Sequence, residues 1–162
     1  MPRSSRQKPF VAPVSTVLFI PNSGPSGRDP PESNIPKGQH LTGLPHLGTI
    51  LLIQQPPGLL TAVLSDIIAT RLHKRGVQGV VVDGRVRNIG PTGQLCANEH
   101  DLFTVWSEGT STVGPALQCQ AWCADVPLQV GDLQVEPGDL LFADETERGV
   151  VVILQGKAEE VV

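Results

Sequence analysis

The hydrophobic positions of this chain fall into short runs that are typical of buried β-strands. Residues 17–20, 47–53 and 77–82 are rich in Val, Leu and Ile and are bounded by proline, glycine or polar residues. Later runs predict further short strands at 102–106, 118–122, 128–130, 133–135, 140–143 and 149–154. Helical patterns do not separate these later strands, so we expect one α/β domain rather than a regular doubly wound sheet.

One stretch, residues 62–75, has the periodicity of an amphipathic helix. Its apolar residues recur with helical spacing at positions 64, 67, 68 and 72. Gly76 suits the position just after a helix end. Thr61, Ser65 and Asp66 are all suitable residues for the helix start, and the pattern alone does not choose among them.

The segments between these runs predict loops and turns. Residues 1–10 are mostly polar and basic and predict a disordered lead-in to a single domain over 11–162. Residues 21–45 are rich in Pro, Gly, Ser and Asn and predict a long loop. His40 and His46 near its end are interpreted as solvated histidines rather than metal ligands.

Turn chemistry divides the rest of the chain. Asp83-Gly84 predicts a turn that ends the third strand, and residues 88–101 predict a loop. Pro137-Gly138 suits the two central positions of a type II turn. Residues 140–154 then predict a closing hairpin.

Composition narrows the classes of function. The formal net charge is −4, with four Phe, two Trp and no Tyr, which argues against nucleic acid as the main ligand. The odd number of cysteines, three, predicts free thiols. No long apolar run is present to span a membrane or to form a secretory leader, so we expect a cytoplasmic protein.

The candidate chemistry lies at the two ends of the helix–strand unit. A helix of fourteen residues rises about 21 Å and the following strand returns about 20 Å, so Arg87 is predicted to lie beside the helix start. Free amides of Ile67 and Ile68 would face an anion there, and a guanidinium binds a carboxylate through two parallel hydrogen bonds. Oxygen atoms of Asp66 and Asn88 could hold a divalent ion. Arg87 as a surface ion-pair partner and Asp66 as a simple helix cap remain open alternatives.

The pair Asp66 and Arg87, with twenty residues between them, resembles the Asp-x20-Arg-Asp signature of the RraA-like / 4-hydroxy-4-methyl-2-oxoglutarate aldolase family. Three further segments are similar to that family: Gly79 to Arg87, Phe103 to Ser111, and Val135 to Asp144 with the Gly149 to Val152 stretch that follows. The resemblance extends over roughly residues 11–154.

This resemblance implies a swivelling β/β/α-type fold and a homotrimer or hexamer with sites between subunits. It implies a metal-dependent carbon–carbon lyase that forms a pyruvate enolate, by retro-aldol cleavage or by oxaloacetate decarboxylation. Arg87 would bind the carboxylate with the help of the Ile67 and Ile68 amides. Mg²⁺ or Mn²⁺ near Asp66 and Asn88 would polarise the keto oxygen.

The chain also departs from the family pattern. Position 88 is Asn where the metal-dependent enzymes carry Asp, so we expect weaker metal binding. The family's helix before the first strand and its C-terminal helix have no counterpart in this pattern. Asp83, Glu159 and Glu160 are candidates for the auxiliary carboxylate that the resemblance implies, although Glu159 and Glu160 are more typical of solvated tail charges. Two alternatives follow: a metal-independent enzyme acting on a specialised metabolite, and a non-catalytic RraA-like regulator that binds a protein partner.

Overall fold

The computed structural model of the chain describes residues 10–25, 31–98, 101–144 and 148–160. The strands in these parts are β1 (Phe10–Pro21), β2 (Ile50–Gln54), β3 (Gly79–Val86), β4 (Thr104–Thr110), β5 (Cys119–Ala124), β6 (Leu128–Val130), β7 (Leu133–Val135), β8 (Leu140–Asp144) and β9 (Gly149–Ile153). The α-helices are α1 (Asp66–Lys74) and α2 (Ile89–Cys96), and short 3₁₀ helices cover Leu41–Gly43, Pro115–Leu117 and Gln155–Glu160.

The long strand β1 organises the main sheet. On one side it pairs in parallel with β2, and β3 and β4 continue the parallel ladder outward. On its other side, the first part of β1 pairs antiparallel with β8 and the last part pairs antiparallel with β5. α1 and α2 form the crossovers from β2 to β3 and from β3 to β4, whereas β5 to β9 follow without α-helices in the described chain. The predicted mixed α/β domain is confirmed.

Both faces of this sheet are buried, which explains the uninterrupted apolar run of β2. Leu51 and Ile53 belong to one core cluster, together with Leu72 of α1. Ile50 and Leu52 belong to a second cluster on the opposite face. The side chains of a strand alternate between the two faces of the sheet. When both faces are buried, all positions are apolar, and the sequence of the strand shows no polar alternation.

The prediction that Asp83-Gly84 is a turn is wrong, because β3 continues through it to Val86. The pairing of β3 with β4 shifts register between Val82 and Arg85, which is a β-bulge. Gly84 has φ +148°, and a Cβ there would lie 2.3 Å from the side-chain oxygen of Gln55. A glycine in this bulge makes room for the buried Gln55 side chain.

The prediction that residues 88–101 form a loop is also wrong, since α2 occupies Ile89–Cys96. Pro91 falls in the first helical turn, where the amide that proline lacks needs no intrahelical partner. The amide and hydroxyl of Thr92 donate to the carbonyl of Asn88 at 3.1 and 2.9 Å. These bonds hold the first turn despite two glycines in the helix.

Several predicted boundaries shift. Phe10, placed in the disordered lead-in, is buried in β1 and pairs with Ala143, while residues 1–9 lie outside the described residues. The second strand begins at Ile50 rather than at Leu47, whose side chain is 71% exposed. α1 begins at Asp66 with Ser65 as its N-cap, so it is shorter than the predicted helix over 62–75.

The predicted loop at 21–45 is mostly exposed where it is described, yet it is held against β5. Ser33 Oγ donates to the Trp122 carbonyl at 2.7 Å, and Asn34 exchanges hydrogen bonds with the backbone of Ala124 at 2.7 and 2.8 Å. The loop therefore covers an otherwise open strand edge.

The turn at Pro137-Gly138 and the hairpin that follows it agree with the prediction. The Asp139 amide donates to the Glu136 carbonyl at 3.1 Å, and Gly138 has φ +91°, as a type II turn requires. β8 and β9 then pair as the predicted antiparallel hairpin, with 145–147 outside the described residues. No helix in the described parts of the chain is long and apolar enough to cross a membrane.

Candidate active site

The start of α1 and the end of β3 meet, as predicted, although α1 has nine residues rather than the fourteen on which the predicted distance was based. Leu64 forms a parallel bridge with Val86, and the Arg87 amide donates to the Leu64 carbonyl at 2.9 Å. Because Ser65 and Asp66 follow Leu64 directly, Arg87 lies beside the first turn of α1. The predicted proximity of Asp66 and Arg87 is confirmed.

Asp66 and Asn88 are joined by a hydrogen bond in which Asn88 Nδ2 donates to Asp66 Oδ1 at 2.6 Å. Asn88 is the N-cap of α2 but has a left-handed backbone, φ 57°, and its side chain makes no capping bond. Asparagine adopts this conformation more readily than most residues. The Asn88 amide group is thus turned away from its own helix and towards α1.

Arg87 lines a cavity of about 400 Å³ between α1, β1, β5 and the 3₁₀ helix at Leu41–Gly43. Its guanidinium lies over Gly114, where an added Cβ would be 3.6 Å from Cζ. It has no hydrogen bond or ion pair to any other residue in the described parts of the chain. A guanidinium has five N–H donors, so those of Arg87 are available to a ligand.

The first turn of α1 adds a weaker attraction for anions. The Ile68 amide donates to Ser65 Oγ at 3.4 Å, a long capping bond, and the Ile67 side chain is exposed at the cavity wall. The positive end of the helix dipole faces the same region as Arg87. Binding of a substrate by the Ile67 and Ile68 amides stays a prediction.

The fit of Asp66 and Asn88 to a divalent ion can be judged from their donor atoms. Mg²⁺ and Mn²⁺ bind oxygen, and they bind carboxylates best. Asn88 presents its Nδ2 to Asp66 and bonds one of the two carboxylate oxygens, Oδ1. In the described chain, no three His, Cys, Asp or Glu residues are grouped to hold a metal. The pair in this arrangement does not fit the ion, and metal binding by Asp66 and Asn88 stays a prediction.

Asp83, one of the other predicted carboxylates, lies away from the Arg87 cavity. Asp83 lines a separate cavity of about 520 Å³ at the ends of β2 and β3, where its carboxylate accepts from Gln54 Nε2 at 3.3 Å. Glu159 and Glu160 lie in the final 3₁₀ helix, and their side chains are outside the described part of the structure.

Two titratable residues of the Arg87 cavity were not predicted as part of the site. His40 reaches it from the 21–45 loop, where it caps the 3₁₀ helix at Leu41–Gly43. Cys119 reaches it from β5, and burial raises the pKa of its thiol while a contact with Thr61 partly offsets the rise. No local motif marks either residue, because the chain folding that brings them to Arg87 is not visible in their own segments.

Comparison with known protein families establishes the family to which the chain belongs. The model of the RraA-like family, described as Aldolase/RraA, matches residues 1–152. The chain belongs to the RraA-like family. A curated relative from Halalkalibacterium halodurans, named "Putative 4-hydroxy-4-methyl-2-oxoglutarate aldolase", is 28% identical over 114 residues. That match covers 70% of this chain and 50% of the relative, so the chain spans about half the length of that curated RraA-like protein.

Solved structures of RraA-like proteins have the same fold. RraAS2 of Streptomyces coelicolor, described as an unusual member of the RNase ES inhibitor RraA family, superposes with a TM-score of 0.71 at 24% identity. It is matched over 96% of this chain and 70% of its own. RraA of Thermus thermophilis, an RNA-processing inhibitor, superposes with a TM-score of 0.61 at 22% identity, over 93% and 80% of the two chains. At these identities the likeness shows the fold alone.

Proposed function

We propose that this RraA-like protein is a carbon–carbon lyase that acts on a 2-oxo acid and forms a pyruvate enolate. The reaction would be retro-aldol cleavage of the 4-hydroxy-4-methyl-2-oxoglutarate type, oxaloacetate decarboxylation, or both. The observation that carries this proposal is the Arg87 guanidinium, which lacks a partner among the described residues and lines a cavity of about 400 Å³. The aldolase named among its relatives supports the reaction class.

The charges around the cavity suit this chemistry. A substrate carboxylate would be bound by the Arg87 guanidinium, a cation that lies beside the positive end of the α1 dipole. Carbon–carbon cleavage sends negative charge onto the keto oxygen, and fixed donors that face this charge lower the barrier. The volume of about 400 Å³ is within the range of small-molecule sites and exceeds the need of a pyruvate unit.

A divalent metal would need a different arrangement of the Asn88 side chain. Mg²⁺ or Mn²⁺ held by Asp66 and Asn88 stays a prediction, because the Asn88 amide would have to turn over to offer its oxygen. In the arrangement described, Asp66 keeps its place beside Arg87 through its hydrogen bond with Asn88. We therefore assign carboxylate binding to Arg87. The role of Asp66 is to be tested by substitution of this residue.

The test is pyruvate release from oxaloacetate and from 4-hydroxy-4-methyl-2-oxoglutarate, with Mg²⁺, with Mn²⁺ and with a chelator. Arg87→Ala should lower kcat/KM by about 10- to 200-fold, the equivalent of one charged hydrogen-bonding interaction. Arg85→Ala is the matched control, because Arg85 Nη1 donates to the Thr110 carbonyl at 2.9 Å and Arg85 lines the other cavity. No pyruvate from either substrate under any of these conditions would refute the proposal.

We also propose that copies of the chain associate beside this cavity, as a homotrimer or hexamer. Ile67 and Ile89 directly follow Asp66 and Asn88, whose side chains are hydrogen-bonded, and both isoleucines are more than half exposed. Exposed apolar side chains of this kind favour a surface that is buried against another subunit. Ile89→Asp should lower the mass measured by light scattering, whereas Leu133→Asp on β7 should not. A wild-type monomer would contradict this.

A second candidate function is a non-catalytic regulator that binds a protein. The Asn88–Asp66 hydrogen bond favours it, since a bonded carboxylate is a poorer catalytic ligand. Two structural neighbours are described as a member of an RNase inhibitor family and as an RNA-processing inhibitor, which supports a regulatory role. Absence of lyase activity, together with a stoichiometric protein partner, would favour the regulator over the lyase.

A further inference from the structure

The walls of the Arg87 cavity are largely apolar. Part of the wall is formed by members of the core cluster on that face of the sheet, none more than 5% exposed: Phe19, Val63, Leu64 and Cys119. Three half-buried residues that pack against the same cluster also line the cavity: Leu41, Ile68 and Ala121. A ligand that fills the cavity therefore meets hydrocarbon over much of its surface.

Positive charge in this cavity comes from one side chain. Arg87 is the only lysine or arginine among the described residues that line it. His40 Nδ1 accepts the Thr42 amide N–H at 3.3 Å, and a ring nitrogen that accepts a hydrogen bond has no proton, so this imidazole is neutral. Gln39 and Gln120, which also line the cavity, are uncharged amides. One carboxylate can be paired with Arg87, whereas a second one would find no cation among the described residues.

The volume of the cavity makes the second end of the substrate important. About 400 Å³ exceeds the need of a pyruvate unit, so the group attached to C4 of a 4-hydroxy-2-oxo acid would occupy the remaining space. A carboxylate that leaves water for such a space without gaining a cation is strongly disfavoured. A hydrocarbon group gains from burial there.

We infer that the substrate is a 4-hydroxy-2-oxo acid with a single carboxylate and an apolar substituent on C4, an inference that deepens the lyase function proposed above and rests on it. Arg87 binds the carboxylate, and the apolar substituent packs against Leu64, Ile68 and Ala121. In the cleavage, the C4 hydroxyl loses its proton and C4 becomes the carbonyl carbon of an aldehyde. The C3–C4 bond breaks, and its electron pair forms the enolate of pyruvate. C3 then takes up one proton, so pyruvate and the aldehyde together contain the atoms of the substrate.

Two substrates of similar shape separate the effect of charge from that of size. 4-Hydroxy-5-methyl-2-oxohexanoate has an isopropyl group where 4-hydroxy-2-oxoglutarate has a carboxylate, and cleavage of either releases pyruvate. The wild-type kcat/KM should be about 10- to 100-fold higher for the isopropyl substrate, because its substituent is buried without loss of a charge–water interaction. Oxaloacetate and 4-hydroxy-4-methyl-2-oxoglutarate should still be cleaved, but more slowly.

A variant that supplies a second cation should reduce this preference. Gln120 is exposed and lines the cavity, so Gln120→Arg should raise kcat/KM for 4-hydroxy-2-oxoglutarate about two- to fivefold, the range of an exposed ion pair, and should not raise it for the isopropyl substrate. Gln118→Arg is the matched control, because Gln118 is exposed but does not line the cavity. A preference that stays unchanged in Gln120→Arg, or changes equally in both variants, would overturn the inference.

The remaining outcomes distinguish the substrate class from the lyase function. A wild-type kcat/KM for 4-hydroxy-2-oxoglutarate equal to or above that for the isopropyl substrate would overturn the apolar substrate and leave the lyase standing. Binding is measured by calorimetry with 4-methyl-2-oxopentanoate and 2-oxoglutarate, which have no C4 hydroxyl and cannot undergo the retro-aldol step. Tighter binding of 4-methyl-2-oxopentanoate, with no pyruvate from any substrate, would support the ligand class and overturn the lyase. Absence of both binding and pyruvate release would overturn both.

Discussion

Asn88→Asp is the substitution that tests the geometry of the site most directly. It replaces a hydrogen-bond donor, Nδ2, with a carboxylate oxygen at 2.6 Å from Asp66 Oδ1. Aspartate accepts the left-handed backbone of position 88 about as well as asparagine, so the change acts through the side chain. Two carboxylates then face each other where one amide and one carboxylate were bonded.

The cost follows from the contact that is lost and the repulsion that replaces it. A hydrogen bond to a charged group contributes about 1.5 kcal/mol at the lower end of its range, which suits an exposed site. Two like charges about 4 Å apart repel by about 1 kcal/mol in water, and Asn88 is exposed enough for solvent screening to apply. We expect the variant to lose about 2–3 kcal/mol of unfolding free energy, or about 4–12 °C in Tm.

The assay is thermal and urea unfolding with a chelator, and then with Mg²⁺ or Mn²⁺. A divalent ion bound between the two carboxylates would restore about 2.7 kcal/mol when its concentration is a hundred times Kd. The wild type should gain much less from the metal. The double variant Asp66→Asn/Asn88→Asp is the control, since it restores one amide and one carboxylate and should recover most of the stability without metal.

Two outcomes would refute this reasoning. If Asn88→Asp is as stable as the wild type in chelator, the hydrogen bond between Asn88 and Asp66 contributes nothing. If metal stabilises the wild type as strongly as the variant, the Asn88 amide turns over readily, and the predicted Mg²⁺ or Mn²⁺ site exists without a second carboxylate.

Two further predictions concern the scaffold. Gly84→Ala should lower the free energy of unfolding, measured in urea, by about 2–4 kcal/mol, because the added Cβ would displace the buried Gln55 side chain and break its hydrogen bonds. Gly90→Ala is the control and should lose no stability, since a Cβ there meets no atom within 4 Å. Equal losses in the two variants would contradict the role of Gly84 in the bulge. The pKa of Cys119 is raised above 9.0 by burial, so the unfolded chain loses this proton first; stability should fall as pH rises above 9.0, and Cys119→Ala should reduce that fall. An unchanged slope in Cys119→Ala would show that the thiol does not titrate differently in the two states.

Local patterns were sufficient for much of the fold. The strands and α1 were predicted because periodicity and turn residues act over a few neighbours, and the Pro137-Gly138 turn is of this kind. The proximity of Arg87 to Asp66 was predicted from segment lengths alone. It needs only that a helix and the next strand run back along each other.

The two wrong predictions have different causes. Asp83-Gly84 has the composition of a turn, yet pairing with β4 and the side chain of Gln55 keep it in a strand. Residues 89–96 contain proline and two glycines, yet they form α2 with a first turn bonded to Asn88. Pairing within the sheet overrides the local preference at Asp83-Gly84, whereas hydrogen bonds of the first helical turn stabilise α2.

The sequence by itself determined the α/β class, the family and the residues that could bind a carboxylate or a metal. Only the tertiary structure decided which atoms of those residues face each other. It turned the Asn88 amide nitrogen towards Asp66, left Arg87 without a partner among the described residues, and brought His40 to the same cavity. The direction of a side chain depends on neighbours that are far away in the chain, and local pattern contains no information about them.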